Sequence, residues 1–82
     1  MSDWPEVDGA LHRELVFGDF AEAFAFLTRV ALVAERMDHH PDVTLRWNRL
    51  TLDIVSHDQG RITDRCRELA RRVDELGPPI AG

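Results

Sequence analysis

Apolar and polar residues alternate along the middle of the chain in a way that is typical of β-strands. Apolar residues occupy every second position on each side of Asn48-Arg49, namely Val43, Leu45 and Trp47, then Leu50, Leu52 and Ile54. Alternation with a period of two predicts strands that bury one face. A two-residue turn at Asn48-Arg49 would put Trp47 opposite Leu50 and all of these apolar side chains on that face. The pattern therefore predicts a hairpin, and the same register places His40 opposite His57.

The N-terminal part of the chain predicts another hairpin. Asp8-Gly9 is a dipeptide that favours tight hairpin turns, and apolar residues flank it on both sides. We expect strands over roughly Trp4–Val7 and Ala10–Phe17.

A helix is predicted between the hairpins, from Phe20 to about Asp38. Asp19 can cap its first turn, with Glu22 placed as in a capping box, and Pro41 ends it before His40. One apolar stripe follows helical spacing: Phe20, Ala23, Phe24, Leu27, Ala31 and Ala34. Further apolar residues lie off this stripe, at Ala25, Phe26, Leu32 and Val33. A helix that is apolar over most of its circumference buries more than one face, which predicts a contact between subunits.

A second amphipathic helix is predicted after the loop His57–Ile62, with Thr63 as its N-cap. Its apolar stripe consists of Cys66, Leu69, Ala70, Val73 and Leu76. The resulting order ββαββα predicts an α+β fold, a four-stranded antiparallel sheet with two helices packed on one face.

Composition narrows the function. The 82 residues suffice for one domain, expected to span residues 1–82. Fifteen acidic residues outnumber ten basic ones, all Arg, and the net charge is −5. Phosphate contacts need a basic surface, so we expect no direct binding of nucleic acid.

The chain also lacks the segments that direct a protein to a membrane. Its longest apolar run, Val30–Ala34, has five residues, and the N-terminus MSDWPEVDG lacks the features of a signal peptide. The single Cys66 cannot form an internal disulfide. We therefore expect a cytoplasmic protein that does not contact membranes.

The predicted elements gather histidines at one end of the second hairpin. His40 and His57 face each other in the predicted register, His39 is adjacent, and Glu35 lies four residues before His39. Each histidine could simply cap a helix or lie on a solvated strand. Convergence of several histidines favours proton transfer, because imidazole titrates near neutral pH.

Two other chemistries are weaker alternatives. Glu35, His39 and His57 could supply zinc ligands, but the chain lacks a helical His-x-x-x-His pair. Adjacent His39 and His40 cannot easily bind one ion together, so we expect no metal ion. Cys66 lies on the apolar stripe of the second helix and is interpreted as packing rather than as a nucleophile.

The motif around the histidines resembles the pterin-4a-carbinolamine dehydratases. The pattern in that family is an acidic residue, three residues, His-His-Pro, five residues, an aromatic residue, nine residues and His. It is filled here with every spacing intact by Glu35, His39, His40, Pro41, Trp47 and His57. The resemblance extends from about Trp4 to Leu76 and implies the same α+β fold.

The resemblance implies dehydration of 4a-hydroxytetrahydropterin to quinonoid dihydropterin, a step in tetrahydrobiopterin recycling, without a metal or other cofactor. It assigns the proton transfers to His39 and His57, and to Glu35 the orientation of the histidines or a contact with the pterin. His40 would mainly hold the substrate. Further contacts with the pterin are implied for Pro41, Trp47, Ser56 and Asp58.

The chain departs from the family pattern at two points. Cys66 stands where the family usually has Asp, three residues after the helix-capping Thr or Ser. The chain also begins only three residues before Trp4, where many members carry a further N-terminal segment. These departures favour an alternative function, a non-catalytic or weakly active dimerisation or scaffold protein on the same fold.

A third alternative is a role with a folate- or molybdopterin-related ligand, because a pterin pocket does not reveal the side chain of its ligand. In all three cases we expect a homodimer or homotetramer.

Overall fold

The computed structural model describes residues 4–77 and contains the predicted elements in the predicted order. They are β1 (Glu6–Val7), β2 (Ala10–Val16), α1 (Phe20–Met37), β3 (Asp42–Arg46), β4 (Arg49–Ile54) and α2 (Asp64–Glu75). The strands form one antiparallel sheet with the order β1-β2-β4-β3. The predicted α+β fold is confirmed.

The first hairpin turns at Asp8-Gly9 as predicted. Both residues have positive φ angles, 51° and 81°, as a type I′ turn requires. The first strand is shorter than expected, because it begins at Glu6 and leaves out Trp4 and Pro5. The Pro5 carbonyl still accepts a hydrogen bond from the His12 amide of β2 at 2.8 Å.

The register predicted for the second hairpin is wrong by two residues. The turn is at Trp47-Asn48 rather than Asn48-Arg49, so Leu45 pairs with Leu50. A shift of two residues keeps every side chain on its predicted face, which is why alternation alone could not detect it.

Contacts from another strand explain the observed turn. The Asn48 side-chain amide donates to the Phe17 carbonyl at 2.9 Å, and the Phe17 amide donates to the Asn48 carbonyl at 2.9 Å. These bonds tie Asn48 to the end of β2. Trp47 then occupies the turn with φ 50° and is 66% exposed. The expected pairing of His40 with His57 does not form, because the ladder ends at Asp42 and Asp53.

Helix α1 begins as predicted and ends one residue earlier. Asp19 Oδ1 accepts from the Glu22 amide at 2.8 Å, while Glu22 Oε1 accepts from the Gly18 amide at 2.9 Å. At the other end, Asp38 takes a left-handed conformation with φ 52°. The His39 amide donates to the Ala34 carbonyl at 3.1 Å, and the Asp38 amide donates to the Glu35 carbonyl at 3.2 Å. This is a Schellman motif, and it fixes the backbone of His39.

The face of α1 that packs in the core differs from the predicted stripe. Its buried residues are Ala23, Phe26, Val30 and Ala34, whereas Phe20 and Phe24 are 49% and 53% exposed and Ala31 is exposed. The helix is apolar nearly all round, so its pattern did not select a single face. Packing against the sheet and α2 made that selection.

Helix α2 packs as predicted. Cys66, Leu69, Ala70 and Val73 are buried, and Leu76 is half-buried against the core. Thr63 is at the N-cap position, but its side chain makes no capping hydrogen bond. Its hydroxyl lies instead 2.7 Å from Ser56 Oγ. The core lies between the two helices and the sheet face that carries Leu50, Leu52 and Ile54.

Within residues 4–77, neither helix combines the length and the apolar character needed to cross a membrane.

Candidate functional site

The three histidines of the predicted cluster meet beside the C-terminal end of α1. They share a cavity of about 330 Å³, which we call the histidine pocket. It is lined by Asp38, His39, His40, Val55, His57, Asp58 and Arg65. Although His40 and His57 are not strand partners, the loops that follow α1 and β4 bring them together with His39.

A larger cavity of about 520 Å³ lies next to it and is called the arginine pocket. It shares His39, Asp58 and Arg65 with the histidine pocket and adds Arg61 and Arg67 on the side of α2. Both volumes suit a small molecule. Since His39 is the histidine that lines both cavities, it can touch a ligand that occupies either.

His39 is half-buried, and its side chain reaches back into the fold. Nε2 lies 3.3 Å from the sulfur of Cys66. Burial and then the positive charge of Arg65 lower the pKa of His39 below the ordinary value of 6.5, and the Asp58 carboxylate opposes this shift. His39 is therefore a neutral imidazole at pH 7, which can accept a proton.

His40 is held by Glu35. Its Nε2 lies 2.9 Å from Glu35 Oε1, and both side chains are exposed. Glu35 and His39, although four residues apart, do not lie on one helix face, because α1 ends at Met37 and Asp38 is left-handed. Glu35 thus orients His40 rather than His39.

His57 lies in the turn that follows β4, at the start of the predicted loop His57–Ile62. Strand β4 ends at Ile54, and the following turn is closed by the Ser56 amide donating to the Arg61 carbonyl at 3.0 Å. His57 Nε2 is 3.4 Å from Asp42 Oδ1, with both side chains exposed. The Asp42 carboxylate thus lies beside one of the side chains that line the histidine pocket.

The remaining predicted contact residues do not form one surface. Asp58 lines both pockets, and Pro41 follows His40 directly. Ser56 is only 3% exposed and lines the arginine pocket together with His39 and Asp58. Trp47 lies beyond the far end of β3, separated from Pro41 by the whole of that strand. Within one chain, Trp47 is not part of the histidine pocket.

Sequence reasoning missed Arg65 as a member of the site. Its guanidinium donates to the carbonyls of Met37 and Asp38, which joins α2 to the end of α1. The helical pattern distinguishes the apolar stripe of α2 and gives no individual role to the polar positions, Arg65 among them. A basic residue in the first turn of a helix is unfavourable for the helix dipole, and this was the available signal of a tertiary role.

His12 also acquires a partner that the sequence did not reveal. Its Nδ1 lies 2.6 Å from Asp53 Oδ1, on the paired strands β2 and β4. It lies outside both pockets. His12 therefore serves below as a control for the pocket histidines.

The clustering of potential metal ligands bears on the zinc alternative. Over residues 4–77, no group of three or more His, Cys, Asp or Glu side chains has a geometry that could hold a metal ion. The zinc set considered from the sequence, Glu35, His39 and His57, is not assembled, since Glu35 is bound to His40.

Comparison with solved structures identifies close matches to this fold. A transcriptional coactivator/pterin dehydratase from Brucella melitensis superposes with a TM-score of 0.86, at 33% identity, over 92% of this chain and 83% of that one. A pterin dehydratase-like protein described as a RuBisCO assembly factor of the α-carboxysome superposes with a TM-score of 0.75. It is 25% identical and the match covers 89% of this chain and 87% of that one.

Sequence comparison points the same way. The family model for pterin 4 alpha carbinolamine dehydratase matches residues 1–76. A protein of Solibacter usitatus, provisionally named pterin-4-alpha-carbinolamine dehydratase, is 49% identical over 92% of this chain and 79% of its own length. A protein of Synechococcus with the same provisional name is 47% identical over 89% of this chain and 78% of its own length. The histidine pocket and the shared fold agree with these similarities, and the chain belongs to the pterin-4-alpha-carbinolamine dehydratase family.

Proposed function

We propose that this protein dehydrates a 4a-hydroxytetrahydropterin to a quinonoid dihydropterin by histidine acid–base catalysis. The observation that carries the proposal is the neutral, half-buried His39 at the junction of two cavities, with His40 and His57 in the same pocket. The reaction removes a proton from a ring nitrogen and a hydroxide from the neighbouring carbon, which leave together as water. It therefore requires a base beside the ring nitrogen, an acid beside the departing hydroxyl, and no electron transfer.

His39 is the base in this proposal. Its lowered pKa keeps the imidazole unprotonated at pH 7, and its contact with Cys66 through Nε2 leaves Nδ1 for the substrate. His57 is the acid that protonates the departing hydroxide. Its exposed position beside Asp42 lets it regain a proton from water after each turnover.

The other groups of the pocket hold the pterin. Glu35 fixes the ring of His40, and His40 precedes Pro41, which restricts its backbone to an extended conformation. Asp58 and Arg65 offer an acceptor and a donor on the same cavity wall. Such groups match the amino and carbonyl edge of a pterin. Trp47 is omitted from the site, since it lies at the other end of β3.

The test is a stopped-flow measurement of quinonoid dihydropterin formation from a synthetic 4a-hydroxytetrahydropterin. We expect the purified protein to accelerate dehydration and His39→Ala to abolish most of the acceleration. His12→Ala is the matched control, because His12 lies outside the pocket, and it should retain full activity. Equal rates with and without the protein would refute the proposal.

A scaffold function is the second candidate. One solved relative is described as a RuBisCO assembly factor, and α1 here leaves Phe20, Phe24 and Leu32 exposed on its outer surface. If the protein forms a homo-oligomer but does not accelerate dehydration, the scaffold function is favoured. The two candidates share one fold and differ in whether the histidine pocket turns over a substrate.

A further inference from the structure

Cys66 lies directly behind His39 and is fully buried. Its sulfur is 3.3 Å from His39 Nε2 and 3.6 Å from each of two hydroxyl oxygens, Ser56 Oγ and Thr63 Oγ1. Those two hydroxyls lie 2.7 Å apart. The imidazole of His39 is thus supported by a closed triangle of one thiol and two hydroxyls, contributed by α2 and by the segments on either side of the Ser56–Arg61 turn.

Every member of this triangle can both donate and accept a hydrogen bond. The thiol can therefore donate to Nε2 while a hydroxyl donates to the sulfur. If each member of the triangle instead donates in the opposite direction, the thiol donates to a hydroxyl oxygen and the sulfur accepts from Nε2. A carboxylate in the same place could only accept, so it would hold a proton on Nε2 and favour the imidazolium ion.

We propose that Cys66 is a positioning residue for His39, a neutral partner that orients the ring through Nε2 and lets it stay uncharged whichever nitrogen carries the proton. The inference gives a role to a side chain that the sequence pattern assigned to packing alone. Its catalytic consequence rests on the proposed function, in which His39 accepts a proton, but the contact itself does not.

The surroundings of His39 agree with a neutral partner. The charged or titratable groups that influence it are Arg65 on α2, Asp58 and His57 in the turn after β4, and the adjacent His40. Among these only Asp58 favours the protonated ring, and the pKa of His39 is nevertheless lowered, chiefly by burial. A thiolate at Cys66 would be a second opposing charge, and burying it would cost free energy.

The experiment is an NMR titration of the histidine ring resonances in the full chain and in three variants at one position. In Cys66→Ser, which retains a neutral donor and acceptor, we expect the His39 midpoint to stay below 6.5. In Cys66→Asp we expect it to rise by about one pH unit or more, because an opposite charge then contacts Nε2. The ring resonances of His12, which lies outside both pockets, provide an internal control.

Cys66→Ala removes the partner without adding charge. We expect the ring ¹⁵N shifts of His39 in this variant to show a changed tautomer balance, and those of Cys66→Ser to resemble the unmodified protein. If Cys66→Asp does not fold, this pair of variants still decides the question. A His39 titration and tautomer balance that are the same in all folded variants would overturn the inference.

Activity distinguishes this inference from the proposed function. If the variants shift the His39 titration but no variant accelerates dehydration, Cys66 positions His39 and the proposed function is wrong. If the protein is active and the acid limb of its pH–rate profile stays fixed in Cys66→Asp and Cys66→Ala, the positioning role is wrong. If the acid limb in Cys66→Asp moves to higher pH together with the His39 midpoint measured by NMR, both the positioning role and the proposed function are supported.

Discussion

The three pocket histidines differ in their surroundings, and those differences set their chemistry. His39 is half-buried and touches a thiol, whereas His40 and His57 are 53% and 63% exposed and each lies against a carboxylate. Burial disfavours the charged form of an imidazole. His39, whose pKa is lowered, is also the histidine whose backbone is fixed by the end of α1.

We predict that His39→Ala and His57→Ala each lower kcat by roughly 10²-fold, the lower end of what a general acid or base contributes, because this dehydration also proceeds without an enzyme. The double variant should approach the uncatalysed rate, since the two act as a unit. His40→Ala should mainly raise KM. Stopped-flow kinetics measures all four values, and full kcat in His57→Ala would move the acid role to another group.

The pH dependence follows from the sign of the His39 shift. Because the pKa of His39 lies below 6.5 in the folded protein, the base form is lost only when the pH falls below that value. We predict an acid limb of kcat with its midpoint below pH 6.5, measured by stopped-flow over pH 5 to 8. A midpoint above 6.5 would show that another group limits the rate.

The same shift makes a prediction about stability. Unfolded His39 binds its proton near pH 6.5, whereas folded His39 binds it only at lower pH, so protons favour the unfolded chain in that interval. The contribution of His39 to the free energy of unfolding is present in full above pH 6.5 and declines as the pH falls through the folded pKa. Urea unfolding at pH 7.5 and 5.5 should show this loss in the unmodified protein and a smaller one in His39→Ala.

At the scale of elements, the turn between β3 and β4 carries strain that glycine would relieve. Trp47 has a positive φ of 50° while Asn48 does not, the pattern of a type II′ turn, which prefers Gly at its first central position. We predict that Trp47→Gly raises the free energy of unfolding by about 0.5 kcal/mol. This is the cost of a left-handed conformation in a non-glycine residue, minus the extra conformational entropy that glycine loses on folding. Urea unfolding measures this change.

The same variant tests the location of the site. Because β3 separates Trp47 from the histidine pocket, Trp47→Gly should leave kcat/KM within about twofold of the unmodified protein. A large loss of kcat/KM in a stable variant would show that Trp47 contacts substrate, as the sequence resemblance implied. In that case a second subunit would have to bring it there.

The cap of α1 gives another prediction at this scale. Asp19→Ala removes the side chain that accepts from the Glu22 amide, and we expect a loss of about 1 kcal/mol in the free energy of unfolding. Asp19→Asn keeps an acceptor and should lose less. Equal losses in urea unfolding would mean that the charge rather than the hydrogen bond matters.

At the scale of the whole molecule, the exposed apolar surface predicts self-association. Phe20 and Phe24 stack with ring centroids 6.0 Å apart on the outer side of α1, and Leu32 on the same helix is 59% exposed. Large apolar side chains exposed on one helix in this way mark interaction sites. We predict a homodimer or homotetramer by light scattering at micromolar concentration, and a monomer would refute it.

A substitution shows whether this surface is the interface. Phe24→Glu places a charge in the patch without touching the core, because Phe24 is 53% exposed. It should shift the light-scattering mass toward the monomer. Arg29→Glu, an exposed charge reversal on the same helix, is the control and should leave the mass unchanged.

Much of the fold follows from local pattern. The order of elements, the Asp8-Gly9 turn, the Asp19 cap and the buried stripe of α2 could all be predicted, because each depends on neighbouring residues only. The fold class follows from that order. The family motif identified His39, His40 and His57 for the same reason, since it is a matter of spacing along the chain.

Only the tertiary structure decided the choices that local pattern leaves equal. A hairpin shifted by two residues buries the same face, so contacts between Asn48 and Phe17 had to select the register. A helix that is apolar nearly all round fits several orientations, and packing selected the Val30 face. The contact between His39 and Cys66 joins residues 27 positions apart. It forms because the end of α1 packs against the start of α2, and no spacing along the chain encodes that approach.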